Sequence, residues 1–480
     1  MPAINRLRLM AASNSNANGN SPHIVAVLPR GEAIRNFLYT GALEQLRQQA
    51  KVTVVSVLPN QDMRQEMAAV PDNLFELQVA PDPWLVRWLR QELDVIHGRH
   101  LWSAAAQHRW KLRDAEAVTL RKKATRLFAK AFTVPFANRP GIKIFSGLER
   151  GVSRALSPSQ HYLELWKKLR PTLVFNASHV HSSNAIQPLQ AAQWLGIPTA
   201  TFLFSWDNLT SQGRLLLPYD YFLAWNEDIA ETLLEIYPDL RREQVVVTGT
   251  PQFDFHLRPE FYEAREDFCA RVGLDPSRPF ILYSTGMDNH MPDEPLIVAG
   301  LARMVRELPG RPQLLVRVYP KDRHTERFDE VKRNNLDVFF PVIPWLKEHL
   351  TPKYEDCAFL TNTLRHCALG INVASTVSLE LAMFDKPIIN VCYNLPADQP
   401  PKIDYRDFYQ FDHYRPLVAS GMLRVANSEQ ELHHWLKQYL ANPATDSQAR
   451  KAFITHMFGA LLDGKSASRI AGALLKMAST

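Results

Sequence analysis

Short apolar runs alternate with longer segments of helical period from residue 23 onward. An apolar run of roughly four to eight residues, bounded by Gly, Pro, Asn or Asp, fits a strand buried on both faces of a parallel sheet. On this criterion residues 23–28, 52–58, 173–176, 199–204, 220–225 and 245–248 form a first strand series. Residues 280–284, 314–318, 370–374 and 388–391 form a second. Helical spacing fills the gaps at 33–49, 184–195, 377–384 and 429–440. Strands that alternate with helices predict two doubly wound parallel sheets, with Gly249-Thr250-Pro251 closing the first. The expected division is a Ser/Asn-rich disordered tail (1–22), a first α/β domain (23–256), a second (257–445) and C-terminal helices (446–480).

The stretch from Gly370 to Val391, GINVASTVSLELAMFDKPIINV, carries the clearest signal. Ser375-Thr376 breaks the apolar run, a helix is expected to start with Thr376 as N-cap, and Lys386-Pro387 closes it before the next strand. Such a loop lies at the carboxyl edge of the sheet, where unpaired helix N–H groups attract an anion, phosphate above all. Val377, Leu381 and Phe384 would face the sheet, leaving Glu380 to look into the crevice and accept hydrogen bonds from ribose hydroxyls. A capping box would need Ser or Thr at 377, and Val stands there. An ordinary helix start with a solvated Glu is the alternative.

Other strand ends hold further candidates. Ser284-Thr285-Gly286 is a small-residue loop that admits a phosphate. Arg317 and Lys321, around Tyr319-Pro320, suit a diphosphate. In the first series Pro29-Arg30-Gly31-Glu32 lacks GxGxxG, which argues against a dinucleotide fingerprint, yet it puts Glu32 and Arg35 at the ligand edge. The loop Ser205-Trp206-Asp207-Asn208-Leu209-Thr210 follows a buried strand. Asp207 is there either a general base beside Trp206 or the anchor of an Asx turn. His324, His366 and His413 are isolated, and no metal constellation is legible.

Composition adds one region. The chain has 480 residues, ordinary hydrophobic (46%) and charged (22%) fractions, and a net charge of +6. Much of the excess lies in 84–156, a basic insertion with Trp84, Trp88, Trp102, Trp110, Phe128, Phe132, Phe136 and Phe145 interleaved. Its aromatics are either core beneath a solvated charged face, or the insertion docks on anionic lipid or another acidic partner. No nucleic-acid motif is present. No apolar run spans a bilayer and no secretory signal is legible, so a cytoplasmic protein, soluble or peripheral on the inner membrane face, is expected. Cys269, Cys357, Cys367 and Cys392 lie in apolar segments without zinc spacing and are expected as buried thiols.

Taken together, SWDNLT, DYFLAWNE, VVVTGTPQFD, VRVYPKD, the 370–391 stretch and DGKSASRI resemble GT-B-fold glycosyltransferases of bacterial surface-polysaccharide type. More distantly they are similar to CDP-glycerol glycerophosphotransferases and UDP-N-acetylglucosamine 2-epimerases. The resemblance implies two Rossmann-like domains facing a cleft, a nucleotide-sugar donor in the second domain, a glycan or lipid-linked acceptor at the first, and C-terminal helices crossing back to the first. It implies that Ser375 and Thr376 hold the diphosphate and Glu380 the ribose, with Ser284, Thr285, Arg317, Tyr319, Lys321 and Ser378 lining the same pocket. Asp207 or Glu32 would be the catalytic base of an inverting transfer that needs neither metal nor cofactor. Some relatives have His-Pro where Tyr319-Pro320 stands, and certain inverting relatives place a catalytic His where Glu32 stands. A 2-epimerase-like enzyme, a glycerophosphotransferase-like enzyme and a non-catalytic glycan-assembly subunit are the alternatives.

Overall fold

The structure, a computed structural model, describes residues 21–179 and 183–480. The tail expected at 1–22 therefore lies, up to residue 20, outside the described residues. The chain divides into two compact units. Unit 1 comprises residues up to Asp254 together with Leu346–Thr351 and Lys465–Thr480, and unit 2 comprises Phe255–Trp345 and Pro352–Gly464.

Unit 1 is built on seven parallel strands: β1 (His23–Leu28), β2 (Lys51–Ser56), β3 (Asn73–Glu76), β4 (Leu173–Asn176), β5 (Thr199–Phe202), β6 (Tyr221–Ala224) and β7 (Val245–Val247). Their order is β3-β2-β1-β4-β5-β6-β7. The central strand β1, HIVAVL, is buried along its whole length, because helices cover both faces of a parallel sheet. The winding reverses between β1 and β4, so the loops after these two strands border the crevice of this sheet. The single helix expected at 33–49 is instead broken. An α turn (Gly31–Ile34) passes into a π turn (Arg35–Tyr39), and Gly41, at φ 82°, redirects the chain before Ala42–Arg47. Gly supplies that left-handed turn without the Cβ clash other residues would meet.

The basic insertion is four helices: α1 (Trp84–Leu101), α2 (Ala104–Ala115), α3 (Leu120–Phe132) and α4 (Arg139–Leu156). Phe145 joins Leu89, Leu93, Ile96 and Ile142 in a small core, with Trp88, Phe132 and Phe136 packed against it. Half of the eight aromatics are thus structural. Trp84, Trp102 and Phe128 are not: they stay 70%, 45% and 56% exposed.

The C-terminal helices divide where they were expected to act together. The helix Ser447–Phe458 stays in unit 2, because the fully buried Arg450 bonds Asp385 (2.9 Å) and the carbonyls of Pro443 and Thr445. Only Lys465–Thr480 joins unit 1. There the Asp254 carboxylate accepts hydrogen bonds from the N–H groups of Ser466 (3.1 Å) and Ala467 (2.9 Å), capping the last helix, and Arg469 donates to the Thr248 carbonyl. Gly249 sits at φ 79° with Ser466 Oγ against it. The GTPQFD and DGKSASRI motifs are therefore two halves of one structural joint.

Unit 2 has six parallel strands: β8 (Phe280–Ser284), β9 (Gln313–Arg317), β10 (Val338–Phe339), β11 (Leu369–Asn372), β12 (Ile388–Val391) and β13 (Arg424–Ala426). Their order is β10-β9-β8-β11-β12-β13. The winding reverses between β8 and β11, so the loops after β8 and β11 flank the crevice of this sheet. The four cysteines, all of them in this unit, are buried.

Candidate functional site

The loop after β11 is shaped by a non-glycine residue, Ala374, at φ 39°. A left-handed turn at Ala is strained and persists only where its surroundings hold it. What holds it is a buried amide and hydroxyl cluster. Asn372 Oδ1 accepts from Ser375 N (3.1 Å), Ser378 Oγ (3.2 Å) and Asn390 Nδ2 (3.1 Å), and the Tyr414 hydroxyl donates to Asn390 Oδ1 (2.6 Å). Ser378 is fully buried in this cluster, 3.0 Å from the Tyr414 hydroxyl. It therefore supports the loop from below and does not line an open pocket. Ala374, Ser375, Thr376 and Val377 remain half-exposed above it.

Thr376 is the N-cap, as the spacing predicts, but the helix it starts is only Val377–Met383. Seven residues align few peptide dipoles, so an anion here would depend on loop N–H groups and hydroxyls more than on a macrodipole. Leu381 faces the sheet so closely that a Cβ on Gly370 would meet its side chain at 2.2 Å. Val377, expected on the same side, is half-exposed.

Glu380 is not the freely projecting carboxylate the spacing suggests. It is 8% exposed, and its Oε1 lies 3.2 Å from His256 Nε2, while His256 Nδ1 lies 2.9 Å from Thr361 Oγ1. Its Oε2 makes no hydrogen bond among the described residues. The carboxylate is thus fixed on one side by a buried histidine and open on the other, which suits a hydroxyl-bearing ligand. His256 was missed because it lies 124 positions away, two residues beyond the VVVTGTPQFD motif, and nothing there marks Glu380 as its partner.

Across the switch point, Thr285 Oγ1 accepts from Tyr319 N (2.8 Å), tying the loop after β8 to the end of β9. Ser284 and Thr285 are buried, and Tyr319 and Lys321 are half-exposed with the Lys321 ammonium 5.7 Å from the Tyr319 ring centre. Arg317 departs from expectation. It is 6% exposed and donates Nη2 to Asp356 Oδ1 at 2.8 Å, and Asp356 Oδ2 accepts from Trp345 Nε1 at 2.6 Å. Spending one end on this buried ion pair rules out the two-pronged grip on a diphosphate, although Nη1 is buried without a partner.

A second buried group holds the loop after β8. Glu294, with no exposed surface, accepts from Gly286 N (2.9 and 3.0 Å) and pairs with Arg327 (3.0 Å), which also pairs with Asp322 (2.8 Å). Burial pushes the Glu294 carboxyl up to about 7, with Arg327 opposing the shift. A carboxyl near 4.5 when unfolded and near 7 when folded makes the folded state take up a proton between those values, so this group's contribution to stability falls as pH rises through that window. Glu294→Gln, which keeps the shape and removes the titration, is expected to flatten the melting-temperature profile between about pH 4.5 and 7. An unchanged slope in the variant would show that other groups set it.

In unit 1 both candidate bases have company. Glu32 is 4% exposed and pairs with Arg30 at 2.7 Å, at the switch point after β1. Gly31 beside it has Thr351 pressed against its α-carbon. Asp207 is half-exposed at the start of the short helix Asn208–Ser211. Its Oδ1 accepts from Ser205 Oγ (2.5 Å) and its Oδ2 from Ser211 Oγ (2.6 Å). Hydroxyls, and no backbone N–H among the described residues, hold this carboxylate, so the loop is anchored without the Asx turn expected as the alternative, and the carboxylate is fixed in one orientation. Hydroxyls can rotate away as a ligand arrives, so the anchor does not bar a second use.

Two doubly wound parallel-sheet units of this kind define the GT-B class of fold, which is the class the sequence motifs resemble. No family model matches the chain. Among solved structures it is similar to the UDP-GlcNAc 2-epimerase of Neisseria meningitidis bound to UDP-GlcNAc, with a TM-score of 0.56 and 13% identity, covering 95% of this chain and 100% of that one. It is also similar to MnaA of S. aureus in complex with UDP, with a TM-score of 0.53 and 14% identity, covering 94% and 96%. In sequence it is 22% identical over 213 residues to the teichoic acid glycerol-phosphate primase of Bacillus spizizenii, 44% of this chain and 50% of that protein. The match thus spans about half the length of this curated relative.

Proposed function

We propose that the chain is a nucleotide-sugar enzyme of cell-surface glycan metabolism, and specifically a glycosyltransferase that moves a sugar from a nucleoside-diphosphate sugar to a hydroxyl of a glycan or lipid-linked acceptor. The observation that carries this reading is the pairing, at one switch point, of the half-exposed Ser375-Thr376 loop with Glu380. The first offers N–H and hydroxyl donors for a diphosphate, and the second offers one open carboxylate oxygen for a ribose. Neighbours of this fold crystallise with UDP-GlcNAc and with UDP, which supports a nucleotide-linked substrate. In the reaction, a unit 1 carboxylate, Asp207 or Glu32, takes the proton of the acceptor hydroxyl as it attacks the anomeric carbon. The Ser375-Thr376 loop and Lys321 stabilise the charge that grows on the departing diphosphate. Transfer of glycerol phosphate is a second reading, favoured by the sequence match to the primase.

A thermal-shift screen across UDP-, GDP-, CDP- and dTDP-linked sugars, with CDP-glycerol included, tests both readings. A ligand at about 100 times its dissociation constant stabilises the folded state by about 2.7 kcal/mol, so a true donor is expected to raise the melting temperature clearly. Glu380→Ala is expected to weaken the best hit while the free protein still folds. A panel without any shift, or a Glu380→Ala protein of unchanged affinity by calorimetry, would overturn the donor site. Sugar isomerised in the absence of acceptor would replace the transferase by an epimerase.

A further inference from the structure

The hairpin of α3 and α4 carries features that folding does not explain. Residues 117–157 contain nine Lys or Arg and a single acid, Glu149. That acid is 2% exposed and bonded to Arg90 at 2.7 Å, so it adds no negative charge to the surface. Three consecutive cations, Arg121, Lys122 and Lys123, occupy the first turn of α3, exposed and without an ion pair among the described residues. Positive charge at a helix N-terminus opposes the helix dipole, so this placement costs α3 stability and suits an external anion.

Apolar exposure is concentrated in the same place. Among the described residues, eight of the fifteen exposed large apolar side chains lie between Val118 and Leu156. Leu127 (69% exposed) and Phe128 (56%) sit on α3, Ile144 (64%) and Leu148 (50%) on α4. Between and beyond the latter two, Gly147 and Gly151 have nothing within 4 Å of where a Cβ would stand. Glycine inside a helix is less favourable than Ala, and no close packing demands it here, so α4 keeps a low surface beside its exposed apolar residues. Phe132 and Phe136 pack on Phe145 (5.8 and 4.8 Å), which ties the end of α3 to α4, while the exposed Phe128 lies over Phe132 (5.5 Å).

Cations alone would fit any polyanion. Exposed Leu, Ile and Val have nothing to gain from phosphate or nucleic acid, whereas a bilayer offers an apolar layer directly beneath an anionic one. No described helix is long and apolar enough to cross a membrane. We propose that the α3–α4 hairpin is a docking surface for an anionic lipid bilayer. Leu127, Phe128, Ile144 and Leu148 enter the boundary of the acyl layer, and Arg121, Lys122 and Lys123 contact lipid phosphates. This inference goes beyond the proposed reaction and does not depend on it.

The test is co-sedimentation of the full chain with vesicles of phosphatidylcholine alone or with about a third phosphatidylglycerol, in about 0.05 to 0.5 M sodium chloride. Binding is expected to be at least tenfold tighter to the anionic vesicles and to weaken as salt rises. The triple variant Arg121→Glu/Lys122→Glu/Lys123→Glu and the double variant Leu127→Ser/Phe128→Ser, all at exposed positions, should each lose at least tenfold in partitioning while melting like the parent. Equal binding to both vesicle types, parental binding by both variants, or retention on RNA without vesicle binding would each overturn the proposal. None of these readouts involves a nucleotide sugar, so failure of the donor site and failure of the lipid surface are separable.

Discussion

Asp207→Asn is expected to lower turnover about 100-fold to 10,000-fold while leaving donor affinity nearly unchanged, because an amide keeps the shape of the carboxylate but cannot take a proton at neutral pH. The asparagine carbonyl can still accept from Ser205 or Ser211, which now hold the carboxylate at 2.5 and 2.6 Å, so the loop should keep its form. Glu32→Gln provides the contrast. Glu32 is 4% exposed and paired with Arg30, so a loss of rate there accompanied by lower thermal stability would mark a structural ion pair. A loss of rate at unchanged stability would move the base to Glu32. Steady-state rates at saturating donor, read beside melting curves, separate the cases, and full rate in both variants would remove both carboxylates from the chemistry.

The second large effect is structural. Gly31→Ala would place a Cβ 2.3 Å from Thr351 Cα, a distance real Cβ atoms do not show, and the obstacle is backbone. Relief requires moving the 346–351 segment, which packs as part of unit 1, or the turn that carries Glu32. Overpacking of this kind costs typically 1–3 kcal/mol and occasionally more. For a unit of this size the expected loss is about 2–4 °C in melting temperature per kcal/mol. A variant that melts like the parent would mean that this approach is looser than the structure has it. Activity lost beyond what stability accounts for would tie the 346–351 segment to the function of Glu32.

Local pattern was sufficient for the strands, and the reason is physical. A strand buried on both faces must be mostly apolar, so Phe280–Ser284, Leu173–Asn176 and Ile388–Val391 are recognisable without their neighbours. The same holds for the break at Ser375-Thr376, the N-cap at Thr376 and the basic character of residues 84–156. Edge strands escape that rule. Asn73–Glu76 and Val338–Phe339 are short and only partly buried, so they leave little periodic trace. The helix expected over 33–49 failed for another reason, since apolar spacing cannot register a π turn or a left-handed Gly41.

Side-chain roles needed the tertiary structure, because charge and hydrogen bonding depend on what stands opposite. Arg317 looks like a phosphate ligand until Asp356 is found 2.8 Å away, and Ser378 looks like a pocket hydroxyl until Asn372, Asn390 and Tyr414 enclose it. Glu380 stands where the 3.6-residue period puts it, yet the buried histidine that orients it comes from a segment 124 positions away. The Glu294–Arg327 pair beneath Gly286 was equally invisible, since nothing in either local sequence marks the other as its partner. Sequence alone determined the fold class, the position of the β11 loop and the basic nature of the insertion, because each follows from local periodicity and composition. Only the folded chain decided which polar groups face a ligand and which spend their hydrogen bonds on one another, because those partners are far apart in sequence and meet only when their unit folds.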